Sequence, residues 1–192
     1  MHELLFKLQR ELTLVLRSGD VMGCEQAITA HLKELPHSPF HIVLNLSITN
    51  SPEDVAAHFD SFFNKEKDRF RIAAAYTEMN GFAINPDCWF FDVFAYEQYG
   101  GHDDYDWLSD WQSQYYPDMT ITGLEPLQEV YASDAFWSGK FDGADDLAAL
   151  LVVVKFQDLI RRAAPYMREL RFPLLATAHD YNFISEVQRD SF

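Results

Sequence analysis

Cysteine is nearly absent. Cys24 and Cys88 are too few for a disulfide framework, and neither sits in a C-x-x-C pair of metal-binding or redox type. The reading is two buried thiols in a reducing compartment, hence a cytoplasmic protein. Long apolar runs are missing too. The longest, Leu147 to Val154, is far too short to cross a bilayer. The opening MHELLFKLQRELTLVLRSGD is amphipathic and broken by charge, which predicts no signal peptide. There is no G-x-S-x-G, no G-x-G-x-x-G and no G-x-x-x-x-G-K-[ST]. The nucleophile elbow and the nucleotide folds that those motifs mark are therefore unsupported.

The scarcest commodity is positive charge. No lysine or arginine occurs between Arg71 and Lys140. The stretch from Asn85 to Asp146 holds 14 of the chain's 30 acidic residues and one base, Lys140, so it carries −13 of the formal −15. It also holds all four tryptophans and six of the nine tyrosines. Such a balance speaks against nucleic acid, which needs a basic footprint, and against anionic membranes. It fits a basic protein partner, metal cations, or a surface that is simply soluble.

What is present describes one globular α+β domain over residues 1–192, with an acidic, aromatic-rich segment at about 85–146. Apolar residues make up 48% and charged residues 23% of the chain, which is enough to build a core. Leu4, Leu5, Leu8, Leu12, Val15 and Leu16 fall at helical spacing before Ser18-Gly19. A second helix from about Gly23 to Leu35 presents Ala27, Ile28, Leu32 and Leu35, so the two form an N-terminal helical hairpin. Phe40 to Ile48 alternates as a half-buried strand, with His41 on its solvated side. Ser51-Pro52-Glu53-Asp54 opens a helix carrying Val55, Phe59, Phe62 and Phe63.

A central antiparallel meander is then expected from Phe70–Met79, Phe82–Ile84 and Cys88–Glu97, turning at Asn80-Gly81 in a type I′ hairpin. In the last of these strands Trp89, Phe91, Val93 and Ala95 face one way, and Cys88, Phe90, Asp92, Phe94 and Tyr96 the other. Asp92, on a strand covered on both sides, calls for polar partners. Gly100-Gly101 ends the sheet, and His102 to Tyr116 reads as a loop in which Trp107 and Trp111 share a face. Thr122-Gly-Leu-Glu125 matches a capping box. Asp142-Gly-Ala-Asp145 opens the long C-terminal helix, which Pro165 closes, and a further strand lies around Leu174–Ala178 or Tyr181–Val187.

Two constellations could carry function. His102, Asp103, Asp104 and Asp106 put an imidazole and three carboxylates within five residues, a weak candidate for metal ligation by a metal-dependent or glycan-acting hydrolase. The spacing is not that of an EF-hand, and the side chains are expected to diverge into solvent. His102-Asp103 and His179-Asp180 are H-D dipeptides, but both fall in loop or strand context, not on helices. The stronger reading is recognition without any cofactor. Tyr99, Tyr105, Trp107, Trp111, Tyr115 and Tyr116 are expected to be exposed among Asp103, Asp104, Asp106 and Asp110. Aromatic anchors rimmed by charge are the anatomy of an interface hot spot. In class, though in no motif, the chain is similar to the small acidic bacterial immunity proteins that neutralise basic toxins. That likeness implies an inhibitor of a basic protein, not an enzyme, and carries over no residue roles.

Overall fold

The computed structural model describes residues 2–188, apart from the side chains of residues 2–4 and 138. The fold is α+β, with a five-stranded mixed sheet and helices packed against it. Helix α1 (His2–Arg17) and helix α2 (Val21–Glu34) form the N-terminal pair, and α3 (Pro52–Glu66) follows. Strands β1 (Ala74–Asn80) and β2 (Phe90–Tyr96) come next, then the short β3 (Met119–Thr120). Helices α4 (Glu125–Ala132), α5 (Asp134–Ser138) and α6 (Ala144–Ala163) lead to β4 (Leu174–Ala178) and β5 (Ser185–Val187). The sheet order is β3-β2-β1-β4-β5. No helix among the described residues is long and apolar enough to cross a membrane.

Helix α6 is the spine of the core. The expected stripe of Leu147, Leu150, Leu151, Val154 and Leu159 is buried, and so are Ala148, Val152, Val153 and Phe156. A helix apolar around most of its circumference must be enclosed, and α6 packs against α2, α3 and β4. Its ends match the backbone dipole: Asp145 and Asp146 lie in the first turn, and Arg161 and Arg162 both grip Asp158 in the last. The α1 stripe also holds, with Leu5, Leu8, Leu12 and Leu16 buried; the side chain of Leu4 lies outside the described residues. Ser51 caps α3 by accepting from the Asp54 N–H at 3.3 Å.

The sheet differs from the expected antiparallel meander. β1 and β2 do pair antiparallel, from Ala74↔Tyr96 to Asn80↔Phe90, but β1 pairs parallel with β4. A parallel neighbour needs a long crossover, and the chain from β2 back to β4 supplies one that contains α6. Asn80-Gly81 is not a two-residue hairpin, because residues 81–89 separate the strands and Phe82–Ile84 forms no strand. The left-handed residue is Phe82, with φ 57°. Gly81 serves space instead: a Cβ there would lie 2.9 Å from Cγ of the fully buried Trp89.

Other local expectations give way to packing. The alternating stretch at Phe40–Ile48 is a 3-10 helix over Pro39–Asn45, opened by Pro39 and a Ser38–His41 capping box. Phe40 and Val43 are buried three apart, the 3-10 repeat, which alternation of similar residues mimics over a short window. His41 is therefore half-buried and bonded, with Nε2 2.9 Å from the Leu32 carbonyl oxygen and Nδ1 accepting from the Ser38 N–H at 3.1 Å. The N-cap of α4 is Leu124, not Thr122; the Glu125 carboxylate accepts from the Gly123 N–H at 2.9 Å while Thr122 bonds to Thr49 and Asn50. The two thiols part company. Cys24 is buried, and desolvation, with the charge of Asp20 second, pushes its thiol up to about 11. Cys88 is exposed, because β2 starts only at Phe90.

Candidate functional site

The two faces of β1 and β2 have different neighbours. Ala75, Met79, Phe91, Val93 and Ala95 belong to the main core. On the opposite face Ala74, Tyr76, Tyr96, Leu175 and Ile184 form a small second cluster, against which Phe94, Tyr105, Trp107 and Leu108 pack. The acidic segment is thus the cover of the second face.

Residues 97–112 make a compact loop whose ends meet. The Gln112 and Ser113 N–H groups donate to the Ala95 carbonyl at 3.1 and 3.3 Å, and the Ala95 N–H donates to the Ser113 hydroxyl at 3.0 Å. The Gln112 side chain accepts from the Glu97 N–H at 2.8 Å and donates to the Asp110 carbonyl. Closed ends and a filling of its own side chains are the marks of an Ω-loop. Trp107 is that filling: its indole N–H donates to the Gly101 carbonyl at 3.2 Å, and its ring lies 4.9 Å from Tyr96 and 5.7 Å from Tyr99. A Cβ on Gly100 would fall 2.2 Å from Trp107 Cδ1, so the backbone can close over the indole only there. The Tyr96 hydroxyl donates to the Leu108 carbonyl at 2.8 Å.

The six aromatic residues expected at the surface divide. Trp111 is 51% exposed, Tyr115 75% and Tyr99 37%. Tyr105 and Trp107 are half-buried in the second cluster. Tyr116 is turned the other way, its ring 5.1 Å from His58 and 5.4 Å from Phe62, with the Lys65 ammonium 5.7 Å above it. Trp107 and Trp111 do not share a helical face: the 3-10 turn covers only Asp106–Ser109, so Trp111 leaves it and packs on Phe94 at 5.1 Å. Asp103, Asp104, Asp106 and Asp110 are all exposed. Asp104 accepts from the Asp106 N–H at 2.8 Å, an Asx turn that starts the helical turn.

His102 is engaged on both ring nitrogens. Nδ1 is 3.1 Å from the Tyr105 hydroxyl, and Nε2 is 3.1 Å from the Tyr99 hydroxyl and 2.9 Å from Glu186. Tyr99 also donates to Glu186 at 2.5 Å, and burial together with that bond raises its phenol well above the ordinary value. Among the described residues no group of three or more His, Cys, Asp or Glu is arranged to hold a metal ion.

Tertiary structure also brings bases to a segment that has none in sequence. Arg17 reaches the His102 carbonyl and the Tyr105 hydroxyl at 3.4 and 3.5 Å, and Arg69 the Gln112 carbonyl and Lys65 the Tyr115 carbonyl, both at 3.4 Å. Fully buried Glu66 pairs with Arg69 and accepts from the Gln114 N–H at 3.4 Å, so the end of α3 holds the return arm. These bases grip backbone and phenol. Among the described residues, Asp103, Asp104, Asp106 and Asp110 have no ion pair.

Beyond the loop, the open end of the same sheet face adds Glu78, which sequence reasoning passed over, beside Asp92 and His179. Glu78 stands opposite Asp92 in the ladder, accepts from the Tyr76 hydroxyl at 2.7 Å, and lies 2.7 Å from His179 Nδ1. The polar partner that Asp92 needs is Asn80, at 2.9 Å. Burial foremost, then the charge of Asp118, raises the Asp92 carboxyl despite that bond. Hydrogen bonding to Glu78 raises His179 above its ordinary value. The only sequence cue was strand alternation, which puts Glu78 and Asp92 on outward positions; nothing local pairs His179 with Glu78. No family model, no curated protein and no solved structure matches the chain.

Proposed function

We propose that this chain is a protein-binding module that captures a basic partner through the face built by residues 99–118, as immunity proteins capture basic toxins. The observation that carries the reading is the state of the acids. Asp103, Asp104, Asp106 and Asp110 stand exposed and without ion pairs among the described residues, beside the exposed rings of Tyr99, Trp111 and Tyr115. Charge of one sign steers a partner and accelerates encounter, and desolvated aromatic rings then set the lifetime of the complex. The loop beneath is closed by Gln112 and filled by Trp107, so little ordering has to accompany binding. The hydrolase alternative needs His102 and the acids to converge on one point, whereas the His102 ring is occupied by Tyr99, Tyr105 and Glu186.

Cross-linking in a lysate of the source cells, with mass spectrometry of the linked peptides, should identify a basic partner joined near residues 97–118. The purified pair should then associate more slowly as salt rises, and Trp111→Ala should speed dissociation. A partner that is not basic, or links clustered elsewhere, would overturn the reading.

A further inference from the structure

Within the proposed face lies a cavity of about 230 Å³, bounded by Glu97, Tyr99, Gly100, Trp107, Asp110 and Gln112. We infer that it is a socket for one arginine side chain of the basic partner, an inference that rests on the protein-binding reading. The walls suit a guanidinium. Tyr99 and Trp107 supply aromatic surface on which a planar cation packs, and Glu97 and Asp110 supply two carboxylates. Neither carboxylate has an ion pair among the described residues, and no lysine or arginine lines the cavity. Arg69, whose guanidinium reaches the Gln112 carbonyl, is held by Glu66. The socket is also built in advance. Trp107 is fixed through the Gly101 carbonyl, and Gln112 ties the Glu97 N–H to the Asp110 carbonyl, so both acids sit on one braced rim. Arginine suits it better than lysine, because five donors in a plane can meet two separate carboxylates and the amide oxygens between them, whereas an ammonium is a point charge.

The test uses a single side chain as probe, so that it is independent of the whole face. Nitrogen-15 correlation spectra are recorded on the full chain with N-acetyl-arginine amide, and with the neutral isostere N-acetyl-citrulline amide. The arginine probe should give saturable shifts at the Trp107 indole N–H and the Gln112 side-chain amide, and citrulline should give none. Glu97→Gln with Asp110→Asn should weaken the apparent affinity about tenfold, the scale of losing a charged hydrogen bond. Glu129→Gln, on the exposed side of α4 outside the face, should leave it unchanged. Absence of shifts at saturating probe, equal shifts with citrulline, or an unchanged affinity in Glu97→Gln with Asp110→Asn would each overturn the socket. The face reading stands or falls separately, on whether Trp111→Ala weakens the purified complex.

Discussion

The two faces of one pair of strands teach opposite lessons. On the α6 side of β1 and β2, Phe91 is fully buried between Phe59 at 5.9 Å and Phe156 at 5.4 Å, and its neighbours are almost entirely apolar. On the loop side, Tyr105, Trp107 and Leu108 of one closed loop pack on the cluster of Tyr76 and Tyr96, the Tyr96 hydroxyl donates to the Leu108 carbonyl, and the loop is pinned within itself by the Trp107 indole N–H. The first face gains stability from close packing of apolar side chains. The second is packed just enough to fix a shape, and it leaves carboxylates and rings in water. Core and candidate site are thus separated by one β-strand's thickness, because successive side chains alternate across a strand.

The sharpest way to break this comparison is a matched pair of truncations. Phe91→Ala should cost about 3–5 kcal/mol, the range for large aromatic residues in cores, whereas half-buried Phe94→Ala should cost about 1 kcal/mol. Urea denaturation of both variants decides the matter, and equal costs would erase the distinction. Next in size is Gly100→Ala, which forces Trp107 out of its seat; the strain should amount to about 1–3 kcal/mol. Hydrogen exchange should quicken across residues 97–112 while α6 stays protected. Global loss of protection would mean that the loop side belongs to the core after all.

A smaller effect separates the faces by pH. His179 holds its proton more tightly when folded, chiefly through the hydrogen bond to Glu78. Its stabilisation is therefore complete below the ordinary value of 6.5 and is lost as pH rises through the higher folded value. Asp92 acts with the same sign at lower pH: its carboxyl is raised by burial and by the charge of Asp118, so stability falls as pH climbs from the ordinary carboxyl range through that raised value. Melting temperatures from about pH 3 to 8 should show His179→Gln removing the upper step and Asp92→Asn the lower. An unchanged slope above pH 6.5 in His179→Gln would show that the Glu78 pairing is too well solvated to matter. Smallest for stability is Asp103→Asn with Asp104→Asn, within about 0.5 kcal/mol of the parent, as for other surface changes. Its effect should fall on the association rate with a basic partner and fade as salt screens the face. A large loss of melting temperature instead would make those acids structural.

Strand alternation on β2, the amphipathic stripe of α1, the Ser51 cap and the apolar mass of α6 were all legible in the sequence. Each depends on residues within a few positions of one another, where period and propensity dominate. Chain chemistry also determined that acids and aromatic residues would be concentrated in one segment. Which of them meet solvent was a tertiary decision. Tyr116 is drawn under α3 by His58, Phe62 and Lys65; Trp107 is drawn onto Tyr96; and Trp111 stays outside on Phe94. His102 finds Glu186 of β5, and its carbonyl meets Arg17 of α1. The parallel pairing of β1 with β4 belongs to the same category, since it depends on where the long crossover returns the chain. No local pattern encodes such contacts, because their strength comes from surfaces that only the folded chain brings together.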